Sequence, residues 1–121
     1  MPHAEIKYSS DLTLPVEQIF AAIENTIHAL DDGAGECKCR AYKSDQHKYP
    51  HILISLSLLA KPHRDQDFSD RLMARVEAAV KALIAQSCYF SLALEYNSAN
   101  YITAPHIVPG DHLARYGETA D

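Results

Sequence analysis

Residues 49–58 read YPHILISLSL, and residues 1–10 read MPHAEIKYSS. Both pass from Pro-His into a short strand-like run. In the central stretch, His51 to Leu59 is nearly all apolar, with Ser55 and Ser57 alternating against leucines. That composition predicts a central strand covered on at least one face. In the first stretch, Ala4, Ile6 and Tyr8 alternate with Glu5 and Lys7, the period of a half-buried strand.

Each strand is followed by a helical pattern and then by a further strand. Val16, Ile19, Phe20, Ile23, Ile27 and Leu30 fall at helical spacing. Thr13 is the expected N-cap, Pro15 belongs to the first turn, and Gly33 supplies a left-handed C-cap. Cys37 to Ser44 then reads as a strand, with Cys37, Cys39 and Ala41 on one face and Lys38, Arg40 and Tyr42 on the other. In the second half, Phe68 to Ala85 carries Leu72, Val76, Ala79, Val80, Leu83 and Ile84, and Asp67 or Ser69 is the expected cap. Tyr89 to Tyr96 reads as a strand with Phe90, Leu92, Leu94 and Tyr96 on one face. A short extended piece is expected at Tyr101 to Thr103. The tail from Pro105 has little pattern and suits an arm on a partner or a loose end.

The order is β-α-β, β-α-β, with the two Pro-His pairs 48 residues apart, at positions 2 and 50. Four of the six prolines precede a histidine, so the dipeptide carries little weight and the order of elements carries more. The predicted fold is α/β: one domain over 1–121, built of pseudo-repeats at about 2–46 and 50–97 with a tail at 105–121. Right-handed crossovers give a four-stranded sheet with two helices on one face. The other face is bare in a monomer, so self-association is expected.

The apolar fraction of 47% suffices for a core, and the formal charge of −5 disfavours nucleic acid as a partner. No apolar run approaches the roughly 18 residues of a spanning helix, so no membrane partner is expected. Glu5, Lys7 and Asp11 interrupt any secretory hydrophobic region, and three cysteines cannot all pair among themselves. A reduced, cytoplasmic setting follows as the expectation.

Pro2 stands where removal of Met1 leaves a terminal secondary amine on a rigid ring. An ordinary α-amino group titrates near ~7.7–8.0. Burial or nearby cations lower that value, giving a base that works near neutral pH. Pro50, an internal amide, has no such basicity. The plainer reading is that Pro2 merely follows the initiator.

With "MPHAEIKYSS" as first strand, "CKCRAYKSD" as second, "HILISLSLLAKPHRD" running into a loop arginine and "SLALEY" as last main strand, the chain resembles the tautomerase superfamily. The resemblance is nearest to its 5-carboxymethyl-2-hydroxymuconate isomerase branch. It covers roughly Pro2 to Tyr96, and its most specific part is the start. It implies the tautomerase fold and a homotrimer. It also implies a cofactor-independent isomerase, with Pro2 shuttling a proton between enol and keto forms of an unsaturated 2-hydroxy polycarboxylate. The setting it implies is homoprotocatechuate catabolism. Arg40 and Arg64 would bind the substrate carboxylates, and Lys38, on the same face as Arg40, matches the family's strand cation equally well. Two departures stand out: "SSDLTLP" lacks the early arginine of the shorter 4-oxalocrotonate tautomerases, and the tail after Ala104 has no counterpart.

Read by themselves, these cations have plainer roles. Arg40 is an exposed strand arginine or a fork gripping a carboxylate. Arg64 belongs to the cationic cluster Lys61, His63 and Arg64, which Asp65 and Asp67 can neutralise. His47 and His51 share no helix, and no second pair accompanies Cys37 and Cys39 at structural-zinc spacing, so no metal is expected. Those cysteines read as small core residues. His3 reads as structural, on the sheet face away from Pro2. Phenylpyruvate-type tautomerisation, decarboxylation or dehalogenation on the same scaffold is the first alternative. The latter two reactions would need an added acid, for which Glu36, Glu95 and Asp45 are candidates. A non-catalytic ferredoxin-like module that self-assembles or binds a small ligand is the second.

Overall fold

Alternation along the two inner strands decides what the sheet buries. The computed structural model describes residues 1–111 and contains β1 (His3–Ser9), α1 (Val16–Leu30), β2 (Lys38–Ser44), β3 (His51–Leu59), α2 (Gln66–Lys81) and β4 (Tyr89–Asn97). Ala4 and Ile6 of β1 and Ile52, Ile54, Leu56 and Leu58 of β3 point one way and are almost wholly removed from solvent. Ile19, Ile23 and Ile27 of α1 meet them, as do Phe68, Leu72, Val76 and Val80 of α2, at four-residue steps that keep one helix face inward. Each of these larger side chains, Ala4 apart, contributes about 1.5–3 kcal/mol by leaving water.

The sheet order is β2-β1-β3-β4. β1 and β2 run parallel, as do β3 and β4, and β1 meets β3 antiparallel. The two parallel pairs are the two β-α-β units. Ile6 and Ile54, 48 residues apart in sequence, are each other's ladder partners at the join. At one end of that join the Ser9 hydroxyl both accepts from the His51 N–H at 2.9 Å and reaches the His51 carbonyl at 3.3 Å. Phe90, Leu92, Leu94 and Tyr96 of β4 pack on the helix side, as their alternation predicts. On the opposite face, Leu53, Tyr42 and Tyr89 are exposed.

The helix ends differ from the sequence reading. Thr13 does not cap α1: its N–H goes to the Gln86 side chain, and Pro15 occupies the cap position. The Pro15 backbone, at ψ 76°, is not helical, so the helix starts at Val16. Nor does Gly33 adopt a left-handed conformation. Asp31 closes the helix instead: its N–H donates to the Ile27 carbonyl and its carboxylate accepts from the Gly33 N–H at 3.2 Å. α2 begins two residues before Phe68 because Asp65, not Asp67 or Ser69, accepts from the Phe68 N–H at 2.9 Å. It ends at Lys81, and Leu83 and Ile84 follow in a turn. Tyr101 to Thr103 forms no strand, and Ile102 there is 96% exposed. Positions 112–121 of the tail lie outside the described residues.

Candidate functional site

Pro2 lies at the head of β1, where its carbonyl accepts the Lys38 N–H at 2.9 Å and so starts the β1–β2 ladder. Its ring is buried, with under 2% exposed. Alternation places Pro2 on the helix side of the sheet and His3 and Glu5 on the open side. The register His3–Lys38 and Glu5–Arg40 brings both β2 cations to that open side.

Arg40 donates from Nε to Glu5 Oε1 at 3.0 Å, and its Nη1 lies 3.4 Å from His3 Nδ1. Lys38 Nζ donates to the Glu36 carbonyl at 3.3 Å. Burial pulls the His3 pKa below its ordinary value, and Arg40, the chain's α-amino group and Lys38 pull it further; only Glu5 opposes. Three positive groups therefore act on one imidazole beside Pro2.

The ladder extends this cluster across the sheet. Lys38, His3, Ser57 and Glu95 form one row over all four strands, and Arg40, Glu5 and Ser55 lie in the next. His3, Ser57 and Glu95 of the first row and Arg40, Glu5 and Ser55 of the second line a depression of about 330 Å³ to which Asn97 and Tyr101 also contribute, and Lys38 lies outside that lining. Of the three acids considered from sequence, Glu95 lies in this depression. Glu36 meets Lys38 through its carbonyl, and Asp45 follows Ser44 at the far end of β2. His3, Glu5, Ser55, Ser57, Asn97 and Tyr101 were not legible as site residues. Their alternation was visible, but the pairing register that lines them up was not.

Arg64 occupies a different environment. Its side chain is enclosed, with Nε and Nη2 each 2.9 Å from Asp31 Oδ2 and Nη1 donating to the Leu59 carbonyl at 2.8 Å. His63 Nε2 meets the same Asp31 oxygen at 2.8 Å. Burial works to raise the Asp31 pKa, but the hydrogen bonds from His63 and Arg64, with the Arg64 charge, outweigh it and hold the carboxyl below its ordinary value. The guanidinium thus ties the end of α1 to the loop after β3.

No protein-family model matches the chain, and no curated protein matches it. Solved structures do. A 5-carboxymethyl-2-hydroxymuconate isomerase from Deinococcus radiodurans R1 is 20% identical, with 95% of this chain and 93% of that one covered and a TM-score of 0.63. A 5-carboxymethyl-2-hydroxymuconate delta-isomerase is 16% identical over 89% of each chain, with a TM-score of 0.59. A fused 4-OT wild-type symmetric trimer is 14% identical over 84% of this chain and 94% of that one, with a TM-score of 0.65. The chain has the tautomerase fold. At these identities the likeness is one of architecture, and within the tautomerase fold Pro2 heads the first strand of the first β-α-β unit. Among the described residues, no group of three or more His, Cys, Asp or Glu side chains is placed to hold a metal ion. No described helix is long and apolar enough to cross a membrane.

Proposed function

We propose that this protein is a cofactor-independent isomerase that moves a proton between the enol and keto forms of an unsaturated 2-hydroxy polycarboxylate, with Pro2 as the base once Met1 is removed. The observation that carries this reading is the position of Pro2: buried at the head of β1, with Lys38 and Arg40 on the adjoining strand. Burial disfavours an ammonium, so it favours a free amine at neutral pH. The amine takes the enol proton and returns one to carbon. Negative charge grows on the substrate as the first proton leaves, and Arg40 and Lys38 interact more strongly with that dienolate than with the ground state.

In this reading Arg40 is the carboxylate fork. It is half-exposed, and its present partner Glu5 is a surface carboxylate that a substrate can displace. Arg64 enters as a second carboxylate ligand only if its bond to Asp31 opens. The two similar structures named as isomerases of 5-carboxymethyl-2-hydroxymuconate support that compound as substrate; homoprotocatechuate catabolism in the cytoplasm is the setting we propose with it. The trimeric relative and the exposed Leu53, Tyr42 and Tyr89 of the open sheet face support a homotrimer.

The test is ketonisation of 5-carboxymethyl-2-hydroxymuconate followed by ultraviolet absorbance, with untagged protein and Pro2→Ala side by side and the mass of each checked for loss of Met1. Turnover that collapses in the variant is expected. Equal turnover in both would remove Pro2 from the mechanism. A folded, correctly processed protein inactive on this compound would turn the search to other enols.

A further inference from the structure

Cys37 and Cys39 stand on the helix side of the edge strand β2, on either side of Lys38, and the proposed reaction uses neither. Their sulfurs are 3.6 Å apart, and the Cys39 sulfur also lies 3.6 Å from the Cys37 carbonyl oxygen. Both are half-buried. They line an open depression of about 370 Å³ with Phe20, Ala21 and Glu24, so a small solute reaches them. The third cysteine, Cys88, belongs to the other half of the sheet and lines a different depression.

We propose that Cys37 and Cys39 form a reversible redox pair, which a hydroperoxide converts to an intrachain disulfide. The hydrogen-bonded contact with the Cys37 sulfur holds the Cys39 thiol below its ordinary pKa, with Arg40 and Lys38 assisting against burial and Glu24. The same contact, together with burial, pushes Cys37 up. One member is thus the nucleophile and the other the resolving thiol. The Cys39 thiolate attacks the peroxide; the O–O bond breaks, an alcohol or water leaves with a proton from solvent, and a sulfenic acid remains. The Cys37 sulfur then attacks the sulfenic sulfur. The S–S bond forms, the S–O bond breaks, and water carries off the hydroxide and the Cys37 proton.

Closing the pair brings the sulfurs about 1.5 Å nearer, to the usual bond length. Cys37 precedes the first residue of β2, so the chain bends there without breaking the β1–β2 ladder beyond Lys38. A bridge across two residues of extended chain is strained, and a strained disulfide is readily reduced. This chemistry stands apart from the role of Pro2.

The experiment treats reduced full-length Cys88→Ser protein with hydrogen peroxide and reads intact mass and peptide maps. The expected product has lost two hydrogens within one chain, is bridged between Cys37 and Cys39, and reverts with dithiothreitol. Adding Cys37→Ser is expected to leave a Cys39 sulfenic acid that dimedone traps. Adding Cys39→Ser is expected to leave Cys37 slow to react. Oxygen adducts on both cysteines without a bridge, a bridge between two chains, or no reaction under conditions that oxidise the denatured protein would each overturn the proposal.

Discussion

In the first half of the sheet the Lys38 N–H donates to the Pro2 carbonyl at 2.9 Å; in the second, the Tyr89 N–H donates to the Pro50 carbonyl at the same length. The far ends match as well, with the Ser10 N–H on the Ser44 carbonyl at 2.9 Å and the Ala60 N–H on the Asn97 carbonyl at 2.7 Å. Backbone hydrogen bonding therefore treats the halves as equals. Side chains do not. Where the first half carries Cys37, Lys38, Cys39 and Arg40, the second carries Cys88, Tyr89, Phe90 and Ser91 at the corresponding register. Cations and a dithiol face aromatics and a serine. The main chain maintains the architecture twice, and only the first copy carries the strand cations and the paired cysteines.

The sharpest break in that equivalence is at the prolines. Pro2→Ala is expected to lower kcat/KM by about 10²–10⁴-fold, the range that a positioned base supplies, while Pro50→Ala leaves turnover nearly unchanged. Steady-state ketonisation rates check both. Equal losses would mean that the two prolines serve the fold alone.

Next comes the Asp31–Arg64 pair, by which the end of α1 holds the loop after β3. Asp31→Ala leaves the enclosed guanidinium without its carboxylate and is expected to cost about 3–5 kcal/mol, read from urea unfolding. Asp31 has a depressed folded pKa, so its contribution is fully present above the unfolded value of about 3.9 and is lost as pH falls through the lower folded value. Wild-type stability should therefore fall on acidification through that window, and Asp31→Asn should show a flatter profile there.

The join itself offers an intermediate test. Ile6→Ala and Ile54→Ala empty corresponding positions of the core and should each cost about 2–5 kcal/mol, with similar values if the halves pack alike. A large disparity in denaturant midpoints would show that the helices enclose the two sites unequally.

The smallest stability effect belongs to Arg40. Its exposed bond to Glu5 contributes at most about 1 kcal/mol, so Arg40→Ala should melt close to wild type. The His3 pKa should rise in that variant, since one of the cations depressing it has gone, and a proton NMR titration of the imidazole reads this directly. Arg40→Ala should also raise KM for a carboxylate substrate.

Element order and strand faces were legible because burial on one side of the sheet enforces alternation. His51 to Leu59 is a strand over the span its sequence predicts, and the four apolar residues of β4 point inward as read. Helix ends were less legible, because Asp65 and Asp31 act as caps through local hydrogen bonds that compete with the nearby Asp67, Ser69 and Gly33. The residues of the candidate site stood out one by one but not as a group. Pro2, Lys38 and Arg40 carry their own chemical signal, whereas Ser57 and Glu95 join them only through interstrand register. Nothing in "KPHRD" indicates that Arg64 folds back onto a carboxylate 33 residues earlier.

The pairing of Ile6 with Ile54 has a bearing on how such a chain varies. Contacts at this join are isologous in form, as at a two-fold dimer interface, where one patch meets its own counterpart. In a dimer of identical half-length chains, any substitution in that patch would appear on both sides at once. Joined in one polypeptide, the two sides mutate separately. A bulkier residue at one isoleucine can be offset by a smaller one at the other, a compensation that symmetry would forbid. The same separation lets Cys39 and Phe90 occupy matching positions without either constraining the other.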